Sequence, residues 1–357
     1  MIEESLVVFV YNLLMFLCVL GALILLWRRK LRHPVALVLL LGVLVAALSF
    51  GGALYSPIDG FGKIQLLAWA VFAHYPLFLI GAAIRWFTQR RVLAYSCATL
   101  AACILLIGVD AFLIEPRWIE ITRMTIPTTK LQIPIRVAVV ADLQTDAPGQ
   151  YEERALEMIA KEKPDLILLT GDYVHIARRD QYVSASATLN EIMRHVGLDA
   201  PLGVYAVGGN VDWPDLWREI FVGLSVTTFE TTSELDLGPL VLTGLTLRDS
   251  SNTTLALDAQ DKFHIVLGHS PNFSLGQVSA DLLIAGHTHG GQVQIPFIGP
   301  MLTLSEVPRS WASGVVTIAP RKVLVVSRGV GMERGNAPRM RFRCRPELVI
   351  LDLVPSG

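Results

Sequence analysis

The sequence predicts an α/β domain preceded by a four-helix membrane region. Three observations predict it. Four long uncharged runs crowd the first 114 residues, short apolar runs of strand length follow from about residue 131, and several of those runs end in aspartate, asparagine or histidine beside glycine. Over 357 residues, 52% are hydrophobic and 17% charged, with a mean hydropathy of +0.50. That balance is too apolar for an ordinary soluble enzyme, so the excess must be local.

The expected organisation is a transmembrane region over 1–115, a linker over 116–130 and an α/β domain over 131–357. Runs 6–27, 34–55, 64–84 and 92–114 are each long enough to cross a hydrocarbon core of roughly 30 Å. The first begins Met-Ile-Glu-Glu and continues to Arg28, unlike a cleaved signal peptide with its basic start and short apolar stretch. Lys and Arg near span ends are retained on the cytoplasmic side. Loop one carries Arg28, Arg29, Lys30 and Arg32, loop three carries Arg85, Arg90 and Arg91, and loop two holds only Lys63. Loops one and three are therefore expected inside, with the amino terminus and everything after residue 114 outside. This is the pattern of an integral protein of a bacterial-type inner membrane with a periplasmic domain. His74, in the third span, is expected to hydrogen-bond to a neighbouring helix, and Asp110 to lie near the outer headgroups.

Net charge is −1, with 8 basic and 4 acidic residues in 1–114 and 22 basic and 27 acidic residues after it. With no basic stripe, nucleic acid is excluded as an expected partner. Cys18, Cys97 and Cys103 fall in the spans and only Cys344 in the outer domain, which argues against a disulfide framework.

In the outer domain, runs 137–141, 166–170, 204–207, 241–247, 264–267, 282–285, 323–327 and 348–353 read as buried strands. Residues 151–163, with helical spacing and a stop at Pro164, read as a crossover helix. Strand ends in open α/β sheets gather into one site. Here they carry Asp142, Gly171-Asp172, Gly208-Gly209-Asn210, Gly268-His269 and Gly286-His287-Thr288-His289. Carboxylate, amide and imidazole together suit divalent or trivalent Zn, Mn or Fe. Two such ions roughly 3.5 to 4 Å apart clamp a phosphoryl group for in-line attack.

Asp142-Leu143-Gln144, Gly171-Asp172, Gly209-Asn210-Val211-Asp212, Gly268-His269 and Gly286-His287-Thr288-His289-Gly290-Gly291-Gln292 resemble, in order, the five motifs of the calcineurin-like metallophosphoesterases. The likeness covers roughly residues 131–353. Ser327-Arg328-Gly329 and Pro338-Arg339-Met340-Arg341, ahead of a last strand after Pro346-Glu347, are similar to the membrane-attached branch. The resemblance implies a two-sheet sandwich flanked by helices. It implies one metal on Asp142, Asp172 and His289, and a second on Asn210, His269 and His287, with Asp172 bridging.

Two positions depart from the family pattern. Gln144 replaces a histidine and offers only a weakly basic amide oxygen, so the first ion is expected to be loosely held or oxygen-preferring. Val211 replaces the histidine expected to contact phosphate and assist the leaving group. Losing such an acid costs on the order of 10² to 10⁴ in rate for poor leaving groups. That favours a pyrophosphate or activated diester, or another donor, with His175, Asp212 and Asp146 as candidates. The residues expected to carry catalysis are Asp172, Asn210, Asp212 and His175, and the metal ligands Asp142, Gln144, Asp172, Asn210, His269, His287 and His289.

Residues 295–302, apolar and rich in turn formers, are expected either to overhang the site and receive an acyl or isoprenoid chain or to pack on the second sheet. Trp213 and Trp217 read more readily as core than as groove lining. The expected function is hydrolysis of a lipid-linked or small phosphoester or pyrophosphate at the membrane surface by attack of a metal-bound hydroxide. The alternative is a metal-binding membrane scaffold that keeps the fold without turnover. Membrane lipids are expected partners.

Overall fold

The computed structural model describes residues 2–28 and 34–356. Arg29, Lys30 and Arg32 of the first loop lie outside the described residues. By internal contacts the chain divides into two units, residues 1–113 with 336–339 and residues 114–335 with 340–357.

The first unit holds four helices long and apolar enough to cross a membrane, Ser5–Trp27, Val35–Tyr55, Gly60–Trp86 and Arg91–Arg117. Their shared interior contains Met15, Val19, Leu26, Val45, Leu66, Phe78 and Ala82. Their outer faces expose Leu39, Leu40, Val43 and Phe50, a surface that suits hydrocarbon and not water. Pro76 supplies no N–H to the helix ladder, and the third helix widens into a π turn at Ala70–His74 just before it. His74 Nε2 lies 2.8 Å from Asn12 Oδ1 on the first helix, the neighbouring-helix bond expected of it.

The second unit is built from strands β1 (Glu120–Thr128), β2 (Ile135–Val140), β3 (Leu166–Leu169), β4 (Val204–Ala206), β5 (Val226–Thr228), β6 (Ser233–Asp236), β7 (Leu240–Gly244), β8 (Phe263–Leu267), β9 (Leu282–Ala285), β10 (Gly314–Ala319), β11 (Lys322–Val326) and β12 (Glu347–Pro355). They form two six-stranded sheets, ordered β1-β12-β2-β3-β4-β5 and β10-β11-β9-β8-β7-β6. Within each sheet four consecutive strands run parallel, β2-β3-β4-β5 and β11-β9-β8-β7.

Alternate side chains explain why the strands read as unbroken apolar runs. Val137, Val139, Leu166 and Leu168 meet Leu242, Ile265, Leu267 and Ile284 between the sheets. Ala138, Val140, Ile167 and Leu169 face outward onto Leu156 and Ile159 of helix Gln150–Lys161 and Tyr182 and Leu189 of helix Arg179–Val196. Strands buried on both faces have no polar side to show. The outer face of the second sheet is covered more lightly, by Leu245, Phe273 and Val278 from short helical turns and loops. In register, Val140 lies opposite Leu169 and Leu169 opposite Ala206, so the carboxyl ends of β2, β3 and β4 finish level.

Segment 116–130, expected as a linker, contains β1, which pairs in parallel with β12 from Glu120–Glu347 to Thr128–Pro355. Its mixed sequence carries Glu120, Arg123 and Pro127 because an edge strand needs only one paired side.

Candidate metal centre

The carboxyl ends of the parallel strands in both sheets converge. Asp142 follows β2, Asp172 follows β3, Asn210 follows β4, His269 follows β8, and His287 and His289 follow β9. Potential ligand atoms of Asp142, Asp172 and His289 lie within 4.8 Å of one another, and so do those of Asp172, His269 and His287. Asp172 belongs to both groups. Asn210 Oδ1 lies 2.8 Å from His269 Nε2, at the exposed mouth of the site.

The turns that deliver these side chains are strained. Eleven described non-glycine residues have positive φ, and six are Asp142, Gln144, Asp172, His287, His289 and Gln292. A non-glycine residue in this region costs of order 1–3 kcal/mol and persists only where surrounding structure over-determines it. Gly209 makes room for them, since a Cβ there would stand 2.0 Å from Asp172 Oδ1. Gly329, at φ +68°, passes so close to Asp142 that a Cβ would meet its Cβ at 2.7 Å.

Electrostatically the site is charged, buried and mutually dependent. Burial pushes the Asp142 carboxyl up to about 7, with His269 opposing the shift. Burial also pushes Asp172 upward, but the His269 charge and hydrogen bond and the Val211 N–H (2.9 Å) outweigh it and hold Asp172 at about 2. Burial drives the imidazoles toward neutrality. For His269 the charges of Asp172 and Asp142 prevail and raise it to about 9. His287 falls to about 4 through burial and the His269 charge, and His289 falls well below its usual value through burial and Arg341.

These contacts test whether metal ions fit. Both ring nitrogens of His289 are buried without a hydrogen-bond partner, as is Gln144 Oε1. Unpaired polar atoms inside a protein are costly and rare, and a cation among these donors would satisfy Gln144 Oε1 and one of the two His289 nitrogens. Outer contacts also set the imidazoles for ligation. His269 Nδ1 lies 2.8 Å from the Thr170 carbonyl and His287 Nε2 lies 2.9 Å from the Leu304 carbonyl. Each fixes one nitrogen as the N–H donor and leaves the other for an ion. The residues fit a metal pair.

Residues 135–291 match the profile of the calcineurin-like phosphoesterase family. They are a calcineurin-like phosphoesterase domain. The chain is 29% identical over 256 residues to phosphodiesterase YaeI of Escherichia coli, covering 67% of this chain and 90% of that protein. It is 27% identical over 259 residues to the metallophosphoesterase YkuE of Bacillus subtilis, covering 67% and 87%. Over 325 residues it is 23% identical to UDP-2,3-diacylglucosamine pyrophosphatase LpxG of Chlamydia muridarum, covering 72% and 95%. The match over residues 135–291, together with relatives named a phosphodiesterase and a pyrophosphatase, supports a phosphoester hydrolase.

The remaining sequence-derived candidates separate by their contacts. Asp212, expected as a proton donor, accepts at 2.8 Å from the backbone N–H groups of Asp172, Tyr173 and Gly209. Burial and the Asp172 charge nevertheless outweigh those donors and raise its carboxyl to about 6, and its contacts make it the tie between the second and third motif turns. Trp217 is buried and stacks on Tyr173. Trp213 donates to the Ile176 carbonyl at 3.0 Å. Asp146 approaches Arg334 at 3.5 Å. His175, partly buried with its pKa lowered by burial, stands beside Gln144, its Nδ1 3.0 Å from the Gln144 amide nitrogen.

The motif spacing did not reveal Glu333 and Arg341. Glu333 lies 3.2 Å from Gln144 Nε2, and burial pushes its carboxyl up to about 7. Arg341 is fully buried and donates to the carbonyls of Arg328, Gly329, Gly331 and Cys344. It braces the loop whose Val330 and Gly331 N–H groups bond to Ala141 and Asp142. The one signal for it was the arginine-rich tail, which names no partner.

Proposed function

We propose that this chain hydrolyses an amphiphilic phosphoester or pyrophosphate at the outer surface of a membrane. The two donor groups that share Asp172 carry this reading. Asp142, Gln144, Asp172 and His289 would hold one ion, and Asn210, His269 and His287, again with Asp172, the other. Ions there supply an activated water and a positive clamp on the phosphoryl oxygens.

The chain's own residues do the rest. Asp172, kept ionised beside His269, contributes the shared negative charge. Thr170 and Leu304 orient the imidazoles. Val211 occupies the motif position at which the family's histidine would assist departure, so the site suits leaving groups that depart as stable anions. Neutral His175, in the tautomer that accepts from Gln144 at Nδ1, carries its proton on Nε2 and is the candidate donor. The relatives named a phosphodiesterase and a pyrophosphatase fall within this substrate range.

A lipid-like substrate is supported by segment 297–304. From residue 120 onward, ten large apolar side chains are strongly exposed. Five of them are Phe297, Ile298, Met301, Leu302 and Leu304. No charged residue occurs from Gly290 to Ser305, and the Leu304 carbonyl holds His287. An acyl chain resting on this loop would therefore bring its phosphate toward the ions. The outer placement of the domain rests on the basic first and third loops.

The test is turnover of an activated aryl phosphodiester by purified full-length protein. It should require Mn²⁺ or Zn²⁺ and vanish in Asp172→Asn. Stoichiometric metal without turnover would instead favour the scaffold, which the replaced histidines at 144 and 211 permit. Protease added to spheroplasts should cleave the catalytic domain, and protection until lysis would reverse the orientation.

A further inference from the structure

Gln144 is fully buried and its surroundings fix its amide. Its Nε2 lies 3.0 Å from His175 Nδ1 and 3.2 Å from Glu333 Oε2. Reversing the amide would set its carbonyl oxygen against the Glu333 carboxylate, so the Glu333 contact places the nitrogen on this side, where the Nε2–H tautomer of His175 also accepts from it. The other end, Oε1, is buried and meets no hydrogen-bond donor. The main chain is fixed too. Gln144 N–H donates to the Asp172 carbonyl at 2.7 Å, and its own carbonyl accepts from Arg334 Nε at 2.8 Å. Glu333 is held in turn by its N–H bond to Gln292 Oε1 at 2.8 Å.

We propose that Glu333 and His175 are positioning residues that hold Gln144 with its carbonyl oxygen presented as a metal ligand beside Asp142, Asp172 and His289. The proposal rests on the metal-binding reading of the site. A free glutamine amide is a poor ligand because it is weakly basic and rotates. Pinning the nitrogen removes the rotation and polarises the carbonyl. Because the donor is oxygen, the site should favour Mn²⁺ over Zn²⁺ relative to the same site with imidazole at this position.

The experiment is Mn²⁺ titration of full-length protein, followed by electron paramagnetic resonance, with thermal unfolding in chelator to verify folding. Glu333→Leu and His175→Ala should each weaken one Mn²⁺ site about 10- to 100-fold, the range for losing an outer contact to a metal ligand. Glu333→Gln, whose amide oxygen still accepts, should stay within about threefold of wild type. In a Gln144→Ala background, Glu333→Leu should add less than about twofold, because the two act as one unit. Gln144→His should shift preference toward Zn²⁺.

Unchanged affinity in both Glu333→Leu and His175→Ala would overturn the proposal, as would an equal loss from Glu333→Leu with and without Gln144. Absence of bound Mn²⁺ from the wild-type protein would instead overturn the metal-binding reading itself.

Discussion

Replacing Arg341 with methionine tests how the tail supports the metal centre. The guanidinium is fully buried. Its Nη2 donates to the carbonyls of Arg328 (2.8 Å), Gly329 (3.0 Å) and Gly331 (2.5 Å), and Nη1 to that of Cys344 (2.9 Å). Gly329 also accepts from the Glu347 N–H, so the other three carbonyls depend most on the arginine. Methionine fills similar volume but donates nothing. Each buried carbonyl left unpaired costs about 1–3 kcal/mol, partly offset because a guanidinium is no longer desolvated. A net loss of roughly 3–5 kcal/mol follows. At about 2–4 °C per kcal/mol for a domain of this size, that is a fall of roughly 6–20 °C in melting temperature. Arg341→Lys should recover only part, since one ammonium cannot reproduce the planar fork. Thermal unfolding of full-length protein in detergent measures both. A melting temperature for Arg341→Met within about 2 °C of wild type would refute the reasoning.

Four further outcomes are expected. Gly209→Ala, whose methyl would stand 2.0 Å from Asp172 Oδ1, should lower kcat/KM at least about 100-fold, as misplacement by about 1 Å does; steady-state kinetics decides it. Mn²⁺ at 100 times its dissociation constant should add about 2.7 kcal/mol of stability, and chelation should remove it, read as a melting shift of roughly 5–10 °C. Exchanging Phe297 and Met301 for serine should reduce kcat/KM at least tenfold for a long-chain phosphodiester while leaving a short aryl diester within about twofold, because each methylene withdrawn from water contributes about 0.8 kcal/mol; parallel assays of the two substrates compare them. His175→Ala should steepen the dependence of kcat/KM on leaving-group basicity, and an unchanged slope across a series of aryl diesters would remove His175 as donor.

The parallel strands were legible because each is buried on two sides. Runs such as Leu166 to Leu169 and Leu282 to Ala285 therefore carry no polar interruption, and the ligands are announced by the turns that end them. β1 was not legible, since an edge strand with Glu120, Arg123 and Pro127 resembles a connector until β12, more than 200 positions later, is placed beside it. The donor groups were visible through ordered motifs, but their outer contacts were not. Thr170 and Leu304 act through backbone carbonyls and Gly331 through its backbone N–H, which leave no mark on residue type. Glu333 reaches Gln144 across 189 positions, and Asp212 had the right residue type for an acid but is occupied by three backbone amides.

The central claim is that strand ends from both sheets cage cations through a shared Asp172. An anomalous-scattering crystal structure of the chain grown with Mn²⁺ tests it most directly. Two peaks are expected, one touching Asp142, Gln144, Asp172 and His289 and the other Asp172, Asn210, His269 and His287, roughly 3.5 to 4 Å apart. Density with no manganese between Asp172 and the three imidazoles would contradict it.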